Sequence, residues 1–246
     1  MTEDSTVKQL TVPAEVTDRH AELLHKNRWF RGLPADAISE MVAMARLKCL
    51  EDGQRLHAQG DLPDGLYGVS KGVIRVSSTG ADGREALLTV LAPGNWFGEI
   101  SLFDGLPRTH DAHAMGATEL LFIPRREFHQ LLERRPELYP HFMRLLCRRL
   151  RLSFNMLEDS ALLPLAARLA KRLLMHAQYC GDPERLSLQL SQETLGLMLN
   201  SSRQSINRLL KHFEQAGWVQ IHYSQISILD EEALTRVATG SEELAR

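Results

Sequence analysis

Glu99 and Arg108, a carboxylate and a guanidinium, stand nine positions apart in the stretch Phe97 to Thr109, FGEISLFDGLPRT. Gly98 has no Cβ and lets backbone approach a bound molecule closely. Glu99 can accept a hydrogen bond from a sugar hydroxyl, and Arg108 offers a planar fork of N–H donors that suits a phosphate. Thr109 adds a hydroxyl beside the guanidinium. The chemistry open to this set is the binding of a sugar phosphate. A plainer role fits the same residues: Asp104-Gly105 and Pro107 form turns, and Glu99 with Arg108 can make a surface ion pair joining two strands. Residue types alone leave both readings open.

The elements that must position these side chains change in texture along the chain. Met1 to Asp18 lacks periodicity and reads as a loosely ordered tail, whereas Arg19–Phe30 and Pro34–Ala45 carry apolar residues at helical spacing, with Ile38, Met41, Val42 and Ala45 on one face. From Leu47 to Ile123, short β-prone runs alternate with turn signals at Asp52-Gly53, Gly60-Asp61, Asp64-Gly65, Lys71-Gly72, Asp82-Gly83 and Pro93-Gly94. That pattern predicts an antiparallel barrel or roll. Val73–Val76 and Ala86–Val90 are expected to pair across the Gly80–Gly83 turn. Set in this frame, Phe97–Thr109 resembles the phosphate-binding cassette of cyclic-nucleotide-binding domains. The resemblance implies that Glu99 takes the ribose 2′-hydroxyl while Arg108 and Thr109 take the cyclic phosphate.

After Pro136 the chain reads as helical, and Leu138, Phe142, Leu145, Leu152, Met156 and Leu163 fall at steps that fit a heptad seam, interrupted by Arg149 and Asp159. Its length, about Leu138 to Leu162, predicts a paired, dimerising helix. Pro164 supplies a break, and a new helix is expected over Leu165–Ala177. From Leu190 the sequence reads as helix, tight turn, helix and β-hairpin. Ser191 can cap the first helix, which has Leu195, Leu197, Met198 and Leu199 as its apolar side, and Ser201 or Ser202 can cap the second. Asn200 suits the turn because its side chain tolerates the left-handed conformation. On the second helix, Ile206, Leu209, Leu210 and Phe213 form an inward face, and Arg203, Gln204, Asn207, Arg208 and Lys211 point outward. An apolar back with long polar donors in front is what entry into a DNA major groove requires. Val219, Ile221 and Tyr223 alternate with Gln220, His222 and Ser224 in the hairpin, as in a wing.

This C-terminal part, with the roll and the long helix, resembles the CRP/FNR family of transcription regulators (catabolite activator and fumarate-nitrate regulator type) over about residues 25 to 235. The implied fold class is α+β: an N-terminal cyclic-nucleotide-binding β-roll, a long dimerisation helix and a C-terminal winged helix-turn-helix. The expected boundaries are 1–24 for the tail and start of the first helix, 25–135 for the roll, 136–163 for the dimerisation helix and 164–246 for the DNA-binding domain. The resemblance implies a homodimer that binds a two-fold symmetric DNA operator and meets RNA polymerase. Its effector is a cyclic nucleotide, most simply cyclic AMP, and its function needs no metal, no covalent cofactor and no catalysis. The implied ligand set is Gly98, Glu99, Arg108, Thr109 and Ser153, and the implied DNA set is Gln192, Ser202, Arg203, Gln204 and Arg208. Three positions depart from the family pattern. Gln204 stands where many members carry Glu, so a half-site altered at that base pair is expected. Phe154 follows Ser153 where cyclic AMP sensors place a second hydroxyl, and His110 replaces the usual Ala.

Composition narrows the alternatives. At 246 residues and 43% hydrophobic content the chain can build two modest domains. It has no run of about 18 apolar residues that would suggest a membrane helix, and Met1–Leu10 does not look like a signal peptide, so a cytoplasmic protein is expected. Cys49, Cys147 and Cys180 are too few and too scattered for a disulfide framework or a zinc knuckle, and no cysteine cluster precedes Cys49 to hold an iron-sulfur centre. A net charge of −2 means that DNA binding must rest on a local basic surface. His110 and His113 show no ligand constellation by spacing. Two alternatives to a cyclic-mononucleotide regulator are the same DNA-binding output under another signal, such as cyclic di-GMP or no small ligand, and, more remotely, a regulatory subunit of an enzyme.

Overall fold

The computed structural model describes residues 32–83, 85–180, 187–188, 191–222 and 225–241. The expected tail and the helix over Arg19–Phe30 lie outside them. The chain divides into two compact units, the first comprising residues 1–76 and 90–144, the second residues 77–89 and 145–246.

In the first unit, α1 (Ala35–Met44) buries the expected face through Ile38 and Met41. Six strands follow in the chain, β1 (Arg46–Leu50), β2 (Arg55–His57), β3 (Gly65–Thr79), β4 (Glu85–Leu91), β5 (Trp96–Phe97) and β6 (Asp111–Pro124), of which the end of β3 and most of β4 belong to the second unit. They form one sheet in the order β1-β6-β3-β4, with β2 also paired to β6 and β5 to β3. β1 and β6 run antiparallel with Leu47 opposite Leu121, and β5 sets Phe97 opposite Tyr67 and Trp96 opposite Gly68. A Cβ on Gly68 would lie 2.4 Å from the Trp96 indole, so only glycine admits that ring. The inward residues Tyr67, Val69, Ile74, Phe97, Ala112 and Leu120 form the core.

One turn signal is corrected. Lys71-Gly72 does not separate two strands; it lies inside the continuous fifteen-residue β3. Gly72 adopts φ +76°, and a Cβ there would come within 2.5 Å of the Ala117 carbonyl. The glycine therefore bends the strand where β6 crowds it, which leaves the sheet pairing intact.

Between β5 and β6 the chain forms a short helix, α2 (Glu99–Asp104). After β6 come α3 (Arg125–Arg134), a 3₁₀ turn (Pro136–Leu138) and the long helix α4 (Tyr139–Leu162). Phe103 of α2 packs 5.7 Å, ring to ring, from Phe142 of α4, and Phe128 of α3 packs 5.3 Å from the same ring. The seam expected on α4 is corrected at its start, while Leu152 further along it is exposed. Leu138, Phe142 and Leu145 are buried, whereas Met143, Cys147, Leu150, Phe154, Leu157 and Ala161 are exposed at steps of four and three. Those steps trace a second heptad stripe beside the expected one, whose first apolar residues serve the chain's own core.

In the second unit, α5 (Leu165–Cys180) starts just after Pro164, as expected, and packs against α8 (Glu231–Ala238). Between them lie β7 (Ser187–Leu188), α6 (Gln192–Met198), α7 (Arg203–Gln215), β8 (Val219–His222) and β9 (Gln225–Ile228). The strands form a small sheet in the order β7-β9-β8. Neither β7 nor α8 is legible in the sequence patterning above, since β7 has two residues and α8 eight. Tyr223 and Ser224 of the expected wing lie outside the described residues.

Candidate functional site

Two sites were expected, one in each unit. The first is built around Gly98, whose φ of +94° starts α2 from the left-handed region. A Cβ there would lie 2.6 Å from Nη1 of Arg108 and 3.0 Å from the Gly65 carbonyl, so both the backbone angle and the close packing require glycine. Asp104 Oδ1 accepts from Leu106 N (2.9 Å) and Ser101 Oγ donates to the Pro107 carbonyl (3.1 Å), which closes the turn and returns the chain to Arg108. The Arg108 backbone is fixed in turn by Asp61 and Gly60, through N–H to the Asp61 carbonyl (2.7 Å) and carbonyl to the Gly60 N–H (2.8 Å).

Glu99 and Arg108 are 1% and 3% exposed, which overturns the reading of a surface ion pair between strands. Arg108 pairs instead with Asp64: Nη2 donates to Oδ1 at 2.6 Å. Nη2 also donates to the Gly65 carbonyl (2.8 Å), and Nη1 to the Gly98 carbonyl (3.0 Å). Nε is buried without a hydrogen-bond partner. Three of the five N–H donors of the fork are thus engaged, and Nε is available to an incoming anion. The guanidinium carbon lies 5.6 Å from the centre of the Tyr67 ring, whose hydroxyl donates to Asp64 Oδ2. Burial pushes the Asp64 carboxyl up, but the hydrogen bonds from Tyr67 and Arg108 outweigh it and hold the group below the usual carboxylate range. Burial, reinforced by Asp64, raises the Tyr67 phenol. Asp64 and Tyr67 were legible only as a turn former and a strand residue, because their partner lies 44 positions away from Asp64.

Thr109 and Ser153 are placed differently. Thr109 is exposed, and its hydroxyl lies 2.8 Å from Nδ1 of His110. Burial lowers the His110 pKa, with Asp111 opposing. Ser153 is exposed on α4 and donates to the Arg149 carbonyl one turn back (3.0 Å), and Phe154 belongs to the exposed heptad stripe. Among the described residues no group of three or more His, Cys, Asp or Glu converges as a metal site. No described helix is long and apolar enough to cross a membrane.

The second site is the helix pair α6 and α7. Ser191 and Ser202 cap them, accepting from Thr194 N (3.0 Å) and Ser205 N (3.1 Å). Asn200 turns the chain at φ +49°. A Cβ on Gly196 would lie 2.8 Å from the Ser201 carbonyl, so glycine sets the close approach of α6 to this turn. Ile206, Leu210 and Phe213 are buried, Leu209 is half-buried, and Arg203, Gln204, Arg208 and Lys211 are exposed along the opposite face of α7. Gln192, the first residue of α6, is half-buried, and Ser202 is exposed beside Arg203. Glu214 Oε1 accepts from Ile221 N (2.9 Å), tying the end of α7 to the hairpin.

Residues 47–135 match the model of the cyclic nucleotide-binding domain, and residues 167–237 match that of the Crp-like helix-turn-helix domain. The CRP-like cAMP-activated global transcriptional regulator of Mycobacterium tuberculosis is 32% identical over 88% of this chain and 99% of its own length. The cyclic AMP receptor protein of Thermus thermophilus is 28% identical over 86% of this chain and 96% of its own. The solved structure of FixK2 from Bradyrhizobium japonicum, 17% identical, covers 82% of this chain and 99% of that one with a TM-score of 0.73, which shows a shared fold. A cyclic-nucleotide-binding sheet domain followed by a DNA-binding helix-turn-helix defines a transcription regulator rather than an enzyme. The chain belongs to the CRP/FNR family.

Proposed function

We propose that the chain acts as a homodimer whose affinity for a two-fold symmetric DNA operator is set by cyclic AMP bound in the sheet domain. The observation that carries this reading is the buried Arg108 guanidinium, held against Gly98 with Nε still free of a protein partner. A cyclic phosphate supplies the acceptor that this donor lacks, and the buried Glu99 beside it suits a ribose hydroxyl. The cyclic AMP named for the relatives from Mycobacterium and Thermus supports the choice of nucleotide. Thr109 joins the set by turning its hydroxyl from His110 to the phosphate, and Ser153 contacts the base from α4. The exposed stripe Met143, Cys147, Leu150, Phe154, Leu157 and Ala161 pairs with its copy in the dimer. On DNA, Arg203, Gln204 and Arg208 read or position the groove edge, with Gln192 and Ser202 at the phosphates. The functional divisions follow as 1–24, 25–135, 136–163 and 164–246, in a cytoplasmic protein that meets RNA polymerase through its surface.

One observation favours a second reading, the same output under cyclic di-GMP or no small ligand: Phe154 replaces a hydroxyl that cyclic AMP sensors use, and it lies exposed on the stripe. Operator binding by the purified chain, with and without cyclic AMP, cyclic GMP and cyclic di-GMP, separates the two. The expected result is tighter binding with cyclic AMP and an affinity that falls as salt rises. Equal binding in all four conditions overturns the effector, and salt-independent binding overturns the phosphate-contacting interface.

A further inference from the structure

His57 closes β2 opposite Ala112 of β6, and its ring lies 6.3 Å from the rings of both Tyr67 and Phe97. Both ring nitrogens are buried and neither makes a hydrogen bond of good geometry, though the His110 backbone lies close enough to favour the protonated ring. A neutral imidazole carries one N–H donor and one acceptor, and leaving such groups buried and unsatisfied is costly. Phenylalanine or leucine would fill the same space with no such cost. The unused donor sits beside the phosphate clamp. The turn that leaves β2 fixes the Arg108 backbone through Gly60 and Asp61, and the Arg108 guanidinium and the His57 ring both face Tyr67. Two buried donors, His57 and Nε of Arg108, therefore lack a well-formed protein hydrogen bond around one aromatic ring.

We infer that His57 is a further contact of the bound nucleotide, donating a hydrogen bond to its phosphate alongside Arg108. The inference rests on the reading of this domain as a cyclic-nucleotide pocket and adds a polar residue to it. It also makes binding proton-linked. The groups that act on His57 are Arg108 from the cassette, Asp61 from the turn after β2, Asp64 at the approach to β3 and the His110 backbone next to β6. Tyr67 of β3 faces its ring, and Lys48 of β1 lies 5.5 Å from the centre of that same Tyr67 ring. Burial first, then Arg108, lowers the His57 pKa to about 4, with Asp64, Asp61 and the His110 backbone opposing. The imidazole is thus neutral at pH 7 when no ligand is bound. A phosphodiester is anionic throughout the range above pH 5, and its charge beside His57 favours the protonated ring. Binding then takes up a proton, and affinity rises as pH falls.

Calorimetry with cyclic AMP on the full chain at pH 8, 7, 6 and 5 tests this for the wild type, His57→Phe and His57→Gln. The wild type should gain affinity toward pH 5. At pH 6 the Phe variant should bind about tenfold more weakly, the size of one hydrogen bond. Its affinity should not change with pH, and its unfolding temperature without ligand should match or exceed the wild type. The Gln variant, which keeps a donor but cannot titrate, should recover affinity without the pH slope, and it carries the test if the Phe variant fails to fold. Wild-type affinity in the variants overturns the proposal, as does a loss of affinity that leaves the pH slope intact, since that marks packing alone. A wild type that binds no cyclic AMP at any pH overturns the effector reading itself, a different result from variants that bind like the wild type.

Discussion

Replacing Gly98 by alanine tests how the cassette is built. The new methyl group would lie 2.6 Å from Arg108 Nη1 and 3.0 Å from the Gly65 carbonyl. An ordinary contact needs about 3.5 Å, so the guanidinium must retreat by roughly 1 Å. That movement breaks the 3.0 Å bond from Nη1 to the Gly98 carbonyl, a charged hydrogen bond worth about 1.5–3 kcal/mol. Holding alanine at φ +94° adds about 1–2 kcal/mol of backbone strain. Together these amount to roughly 2.5–5 kcal/mol, or a fall of about 10–25 °C in the melting temperature of the domain. Affinity for cyclic AMP should drop at least about a hundredfold, because the displaced fork no longer meets the phosphate. The decisive assay is a double-mutant cycle read by thermal unfolding with Gly98→Ala, Arg108→Ala and the pair. Part of the alanine penalty acts through the guanidinium, so the pair should cost less than the sum of the singles, with only the backbone strain remaining. Strict additivity, or a Gly98→Ala variant that melts and binds like the wild type, refutes the account.

Two further predictions concern assembly and acid stability. Leu150→Asp with Leu157→Asp places two charges on the exposed stripe of α4 and should convert a dimer to a monomer in sedimentation equilibrium, while an unchanged dimer rules out that stripe as the seam. The pKa values of His57 in the first unit and His176 in the second are both lowered to about 4, by burial first and then by Arg108 and Arg172 respectively. The unfolded chain binds these protons near pH 6.5 and the folded chain only near 4. Stability present above about pH 6.5 is therefore lost as pH falls toward 4, by up to about 1.4 kcal/mol per pH unit for each ring. His176→Leu should lose less stability between pH 7 and pH 5 in urea titrations than the wild type, and an equal loss contradicts the assignment.

What the sequence made legible follows from how local each signal is. Caps, turn glycines and helix faces are written within a few residues, so α7 with Ser202 at its head and Ile206, Leu210 and Phe213 inward could be read directly. So could the left-handed Asn200 and the start of α5 after Pro164. Gly72 misled because a positive-φ glycine marks a bend inside a strand as readily as a turn between two, and only the crowding by Ala117 and Thr118 tells them apart. The start of the α4 seam could not be told from core, because Leu138 and Phe142 have the spacing of a seam while the partners of Phe142, Phe103 and Phe128, lie on other elements. The burial of Glu99 and Arg108 in one short segment follows a motif, whereas the packing of Asp64, Tyr67 and His57 around Arg108 does not. Their roles depend on which strands meet, and no local pattern encodes that.

Asp64 shows why such a hidden partner matters to a site that must also exist empty. A guanidinium as buried as that of Arg108 is costly without a counter-charge. Asp64 supplies the counter-charge from within the domain. Its side chain is 49% exposed, so the carboxylate balances Arg108 while keeping part of its own hydration. The Tyr67 hydroxyl and the Gly65 and Gly98 carbonyls hold both groups in register. On the proposed reading, an incoming phosphate would meet a guanidinium that is already oriented and already partly neutralised. Orientation strengthens binding by removing the entropy of ordering a long side chain, and neutralisation weakens it by reducing the net charge the phosphate sees. The two effects oppose each other at one residue, so under the proposed function the charge of Asp64 would tune effector affinity without Asp64 touching the effector.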